Sequence, residues 1–82
     1  MTNEKSQLSN EIKSLVAKIL KMPEDKVFMN SNLFSDLGVD SLSGVEIFAA
    51  LDQKYHIDIP ENKLKSVHTL GELIDLVIAL KS

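Results

Sequence analysis

Apolar residues along this chain fall into helical periods in three places and lose their period between them. In the first, Leu8, Ile12, Leu15, Val16, Ile19 and Leu20 recur three and four residues apart, the spacing of one helix face. Glu11, Lys13, Ser14 and Lys18 lie between them and suit the opposite, solvated face. The pattern predicts an amphipathic helix from about Asn3 to Leu20. Pro23 stands where it should stop that helix, because its ring removes a backbone donor and restricts the residue before it.

From Lys21 to about Asp40 the period disappears and turn chemistry replaces it, with Pro23, Asn30, Ser31, Asn32, Ser35 and Gly38. A loop this long tends either to be functional or to hold local packing of its own. Val27, Leu33, Phe34 and Leu37 supply apolar anchors, so the segment is expected to lie pinned across the helix ends. Gly38 can take a positive φ without steric cost and would steer the chain into the next helix.

Asp40 opens the second periodic run as a good N-cap, its carboxylate able to accept from free amides of the first turn. The helix should end near Tyr55. Its apolar residues (Leu42, Val45, Ile47, Phe48, Ala49, Leu51 and Tyr55) exceed one narrow stripe. Either it touches two neighbours or it exposes apolar surface. Ile57 and Ile59 flank an extended link, and Pro60 can open a short helix at its first position, covering Glu61 to Lys65. Thr69-Leu70-Gly71-Glu72 reads as a capping box for a last helix that buries Leu70, Leu73, Ile74, Val77, Ile78 and Leu80. No strand alternation and no repeat occurs. The fold class is therefore all-α: a small bundle of three main helices plus one short helix, with a long loop between helices one and two.

Composition narrows the rest. With 82 residues there is room for a single domain over 1–82, its ordered core at about 4–80. A domain this small buries only roughly 60% of its unfolded surface, and the absence of cysteine excludes disulfide or thiolate-metal reinforcement. Net charge is −3 and all nine cations are lysines, which argues against nucleic-acid binding and for basic protein partners. The polar N-terminus, Met1 to Gln7, lacks the apolar core of a signal peptide, and no apolar stretch is long enough to span a bilayer. A soluble, monomeric, cytoplasmic protein is expected. His56 and His68 have no ligand partners at metal spacing, so no metal site is expected.

The chemistry concentrates at Leu37-Gly38-Val39-Asp40-Ser41-Leu42. Asp-Ser before an apolar residue is ordinary N-cap chemistry when taken alone. With the helix order, the long loop and the flanking residues, the chain resembles the acyl carrier protein family. Asp40-Ser41-Leu42 matches the family's attachment motif and Gly38 its preceding glycine. Leu33-Phe34, Val45-Glu46, Ile59-Pro60 and Thr69 also fall where the family has similar residues. The likeness runs from about Leu8 to Leu80.

The resemblance implies a 4′-phosphopantetheine arm on Ser41, added from coenzyme A by a separate phosphopantetheinyl transferase, with Asp40 supporting that modification. Ser41 lies at the first helical position, where a phosphodiester would be close to unpaired backbone amides and the positive helix end. It is not expected to be a catalytic nucleophile, since no histidine is near in sequence to serve as base. The arm's thiol would carry acyl groups as thioesters to acyl-loading, condensing and acyl-transfer enzymes of fatty-acid, polyketide or related lipid biosynthesis. Partner recognition would use Asp36, Leu42, Glu46, Ala49, Asp52 and Asp58, with Asp36, Asp40, Glu46, Asp52 and Asp58 forming an acidic rail. The acyl cleft would draw on Phe34, Val45, Phe48, Leu51, Ile59 and Leu64, with Ala49 beside them, although plain core packing is the favoured reading for most of them. Ser43, Gly44 and Lys54 thin the rail relative to housekeeping fatty-acid carriers. Gly44 weakens the helix by about 1 kcal/mol relative to alanine, and either admits a partner backbone or is a neutral replacement.

Three other readings remain. An unmodified helical adaptor would bind a partner through helix two. A small DNA-binding domain is disfavoured by the missing arginines and the acidic candidate helix. A self-sufficient enzyme would need a base, metal cluster or phosphate loop that the sequence does not supply.

Overall fold

The computed structural model describes residues 4–81. Its scaffold is three α-helices, α1 (Glu4–Leu20), α2 (Ser41–Tyr55) and α3 (Leu70–Lys81), with two short 3₁₀ helices at Glu24–Lys26 and Glu61–Lys65. The all-α expectation holds, and among the described residues the only β pairing is an isolated bridge between Asn32 and Thr69.

In α1 the expected face is the buried one, with Leu8, Ile12, Val16 and Ala17 in the core. The expected start at Asn3 lies outside the described residues. The expected end at Leu20 holds, but the stop is made by the backbone at Lys21, before Pro23 is reached. Lys21 adopts a left-handed conformation at φ 57°, the Lys21 amide donates to the Lys18 carbonyl at 3.2 Å, and the Met22 amide donates to that of Ala17 at 2.9 Å. This is a Schellman ending with lysine in the position glycine usually takes. Pro23 instead leads into the 3₁₀ helix Glu24–Lys26, an element the turn residues did not predict.

The long segment from 21 to 40 is pinned as expected. Val27, Leu33 and Val39 are buried, while Phe34 and Leu37 pack half-buried against the core. Backbone hydrogen bonds lash it to the head of α3: Leu33 donates to His68 at 2.8 Å, Leu70 to Ser31 at 3.2 Å and Gly71 to Met29 at 2.9 Å. Asn32 adds a local turn, its side-chain oxygen accepting from the Phe34 and Ser35 amides at 2.9 Å each.

The short helix spans Glu61–Lys65 as expected, but it is 3₁₀ and Pro60 is its N-cap rather than its first helical residue. The α3 capping box forms only in part. Thr69 Oγ1 accepts from the Glu72 amide at 3.2 Å, whereas Glu72 Oε2 accepts from the His68 amide, one residue before the threonine, at 3.3 Å. Leu70, Leu73, Ile74 and Val77 are fully buried and Ile78 is half-buried. Leu80 departs from the expectation: it is exposed, one turn beyond Val77, the last side chain α3 buries.

α1 packs against both α2 and α3, and α2 packs against the second 3₁₀ helix. At one end Tyr55, the last residue of α2, donates to Glu11 of α1 at 2.8 Å and lies under the Lys81 ammonium of α3. The heads of α2 and α3 and the long loop gather at the other end. Ser41 is there.

Candidate functional site

The approach to Ser41 is fixed before the helix begins. Val39 is buried and its amide donates to the Leu33 carbonyl at 2.8 Å, which anchors the last loop residue. One residue earlier Gly38 turns the chain at φ 74°, a conformation that glycine adopts without strain. Asp40 then sits in an extended conformation as the N-cap of α2. Its carboxylate accepts from the Ser43 amide at 2.8 Å, and Ser43 Oγ accepts in return from the Asp40 amide at 2.9 Å. These reciprocal bonds form a capping box around Ser41, which is exposed at the first helical position.

The Ser43 amide, and then the Ser43 hydroxyl, hold the Asp40 carboxyl below its ordinary value of 3.8. This corrects one expectation about the anchor. The amides thought to be free for a phosphodiester are partly engaged, because the Asp40 carboxylate takes that of Ser43 at 2.8 Å. The positive end of the helix remains, with an aspartate already stationed on it.

Next to Ser41, α2 exposes apolar surface. Leu42 is 70% exposed and Val45 43%, and Glu46 and Ala49 lie open beside them. Ile47, Phe48 and Leu51 face inward with Gly44. The excess of apolar residues in this helix is therefore explained by a second, outward stripe.

The remaining carboxylates divide by role. Asp36 accepts from the Asn32 amide at 2.8 Å and closes a loop turn, while Asp52 accepts from the Ile59 amide at 3.1 Å and holds the link after α2. Glu46 and Asp58 are exposed. Three of the five rail residues, Asp36, Asp40 and Asp52, thus brace backbone as well as carrying charge. Asp36 is on the loop and is not part of the α2 stripe.

The cleft candidates separate as well. Val45, Phe48, Ala49 and Ile59 line one surface depression of about 280 Å³, closed by Pro60 and rimmed by Asp52, Asp58 and Glu61. Phe34, Leu51 and Leu64 do not line it. Phe34 packs half-buried in the long loop, and Leu51 is completely buried in the core. Leu64 lies over Gly44: a Cβ at that glycine would come within 2.6 Å of Leu64 Cδ2 and 2.9 Å of Cδ1. Gly44 thus makes a close approach within the chain to the end of the Leu64 side chain.

Ser43, Pro60 and Glu61 are site residues the sequence reading missed. The three-residue spacing of Asp40 and Ser43 was a usable signal, but serine is a rarer reciprocal partner than glutamate. Pro60 and Glu61 reach the depression only through the fold of the link. His56 is exposed at the far end of α2 with φ 55°, and the exposed His68 lies 3.7 Å from Glu72. No group of three potential metal ligands occurs among the described residues, and none of their helices is long and apolar enough to cross a membrane.

The sequence profile of the family described as "Phosphopantetheine attachment site" matches residues 10–77. The chain belongs to this family of acyl carrier proteins. It is 32% identical over 72 residues to the acyl carrier protein of Campylobacter fetus subsp. fetus (strain 82-40), covering 88% of this chain and 94% of that one. The solved HMG-ACPI domain of the CurA module from Lyngbya majuscula superimposes with a TM-score of 0.80 at 29% identity, over 99% of this chain and 87% of that one. The apo doublet acyl carrier protein from prodigiosin biosynthesis shares the fold, with a TM-score of 0.81 at 22% identity; the match covers 96% of this chain and 38% of that one.

Members of this family are carriers rather than enzymes, and their cofactor is covalent 4′-phosphopantetheine. The residues at the head of α2 fit such a group: an exposed hydroxyl at a helix start, flanked by a carboxylate and by an open apolar stripe. When bound, the group supplies a thiol at the end of a flexible arm.

Proposed function

We propose that Ser41 is the attachment residue, and that the protein carries acyl intermediates as thioesters to partner enzymes of fatty-acid, polyketide or related lipid biosynthesis. The observation that carries this reading is the placement of Ser41. It is exposed at the first position of a fifteen-residue helix and braced by the Asp40–Ser43 capping box. That rigidity delivers the hydroxyl to a transferase in one orientation, and Asp40, held in place by its cap bonds, supports the magnesium-dependent transfer from coenzyme A.

Leu42, Val45, Glu46 and Ala49 form the first contact surface for these enzymes, with Asp52 extending it along α2 and Asp58 from the link that follows. An apolar centre with acidic flanks suits partners that present an apolar contact ringed by lysine or arginine. Phosphopantetheinyl transferase, acyl-loading, condensing and acyl-transfer enzymes would use it in turn, with the carrier acting as a cytoplasmic monomer. The thinned rail supports a specialised pathway over a housekeeping one.

The test is incubation with coenzyme A, magnesium and a broad-specificity phosphopantetheinyl transferase, followed by intact mass. One phosphopantetheinyl group is expected on the native chain and none on Ser41→Ala. An unchanged native mass would leave the unmodified-adaptor reading in its place. A gain that survives in Ser41→Ala would move the site elsewhere.

A further inference from the structure

The 3₁₀ helix Glu61–Lys65 turns one side to α2. At three residues per turn, side chains three apart share a face. Glu61 rims the depression beside Phe48 and Ala49, and Leu64 lies over Gly44, so the face these two share is the one against α2. Lys63 and Lys65, on either side of Leu64 in the chain, take the other two faces, and both are exposed. Neither ammonium meets a carboxylate among the described residues. Two unneutralised cations therefore flank the contact at Gly44, which is within one helical turn of Ser41.

The opposite flank carries the opposite sign. Successive residues of an α-helix are turned by about 100°, so Glu46 stands about 200° round from Gly44, on the side of α2 away from the 3₁₀ helix. Between these two positions fall Ser41 and then the outward apolar residues Val45, Ala49 and Leu42, all exposed. Read across α2, the order is lysine, anchor, apolar stripe, carboxylate. Taking Ser41 as the anchor, as proposed above, we infer that Lys63 and Lys65 form a basic limb of the docking surface, fitted to enzymes that oppose it with carboxylates while setting their cations against Glu46.

The split narrows the partner. A ring of lysine or arginine around the apolar contact must break on the side of the 3₁₀ helix, where like charge would be repelled. It also gives docking a direction, since an enzyme turned half round about Ser41 would meet like charge on both flanks. Farther along the seam Asp52, Asp58 and Glu61 make the surface negative again, beside the depression. An enzyme with a wholly basic docking face gains at those positions and loses at the limb. The limb thus acts as a repulsive element that selects against such enzymes.

The experiment converts native protein and the Lys63→Gln/Lys65→Gln, Lys63→Glu/Lys65→Glu and Lys63→Arg/Lys65→Arg pairs to the phosphopantetheinyl form, verified by intact mass. Each condensing and acyl-transfer enzyme of the native host is then assayed with all four. A condensing enzyme with a wholly basic docking face, taken from a housekeeping fatty-acid system, serves as the mismatched probe. At least one native-host enzyme should lose about three- to fivefold in kcat/KM with the glutamine pair, the worth of two exposed ion pairs, and more with the glutamate pair. The loss should fall on KM, fade as salt is raised, and be absent from the arginine pair. The mismatched probe should instead gain with the glutamate pair. A glutamate pair that serves every native-host enzyme as well as native protein does would overturn the basic limb, as would a loss that salt leaves unchanged or a probe that loses activity. Native protein that takes up no phosphopantetheine would overturn the Ser41 assignment itself, a result distinct from a loaded carrier whose lysines make no difference.

Discussion

Asp40 is the residue on which the local chemistry turns, because it both caps α2 and stands beside the proposed attachment site. Its folded-state pKa lies below the unfolded value of 3.8, with the Ser43 amide as the main cause. The stabilisation is therefore complete above that value and is lost as pH falls through the lowered folded pKa. Acidification from pH 6 to pH 3 should lower the urea midpoint of the native protein more steeply than that of Asp40→Asn, whose amide still caps the helix but does not titrate. Equal slopes would show that the cap charge contributes nothing. The motif showed Asp40 and Ser41 in their positions at the helix head because a cap is a matter of adjacent residues. It did not show what fills the space over Gly44, since Leu64 arrives from twenty residues away.

At the scale of elements, helix starts and helix ends were unequally legible. Asp40 and Thr69 announce starts through oxygen-bearing side chains, and the structure places both helices there. The ends of α1 and α2 use Lys21 and His56 in left-handed conformations, at φ 57° and 55°, where the usual signal would be glycine. With no glycine to mark the stop, Pro23 drew the credit for an end at Leu20 that Lys21 makes. The same strain makes a measurable claim. His56→Gly should stabilise the protein by about 1 kcal/mol, because a side chain in the left-handed region is strained and glycine is not. An unchanged or lowered urea midpoint would contradict this. The element type of Glu61–Lys65 was likewise hidden, since five residues are too few to separate one helical period from another.

Across the whole molecule, the core is a single cluster fed by all three α-helices and by five residues from the connections, Val27, Leu33, Val39, Ile59 and Val67. Periodicity identified the helical contributors but could not rank Leu51, Phe48 and Val45 between core and cleft, because all three recur on α2. Burial separates them. Leu51→Ala should cost about 2–5 kcal/mol, a large part of the stability of a small domain, and lower the thermal midpoint accordingly. Val45→Ala, at an exposed position, should stay within about 0.5 kcal/mol of native. A stable Leu51→Ala protein would mean that the depression reaches the core. At the far end, the contacts of Tyr55 with Glu11 and Lys81 join all three helices, and burial followed by the Glu11 carboxylate pushes the Tyr55 hydroxyl above its ordinary 10.0. The molecule is thus tied at the end away from Ser41 and leaves its working surface at the other. The central claim is that this surface serves an arm on Ser41, and fragment-ion mass spectrometry of protein purified from its native host tests it most directly. A phosphopantetheinyl group localised to Ser41 is the expected result, with any acyl cargo read from the same ions. A population unmodified at Ser41, or modified at another serine, would contradict it.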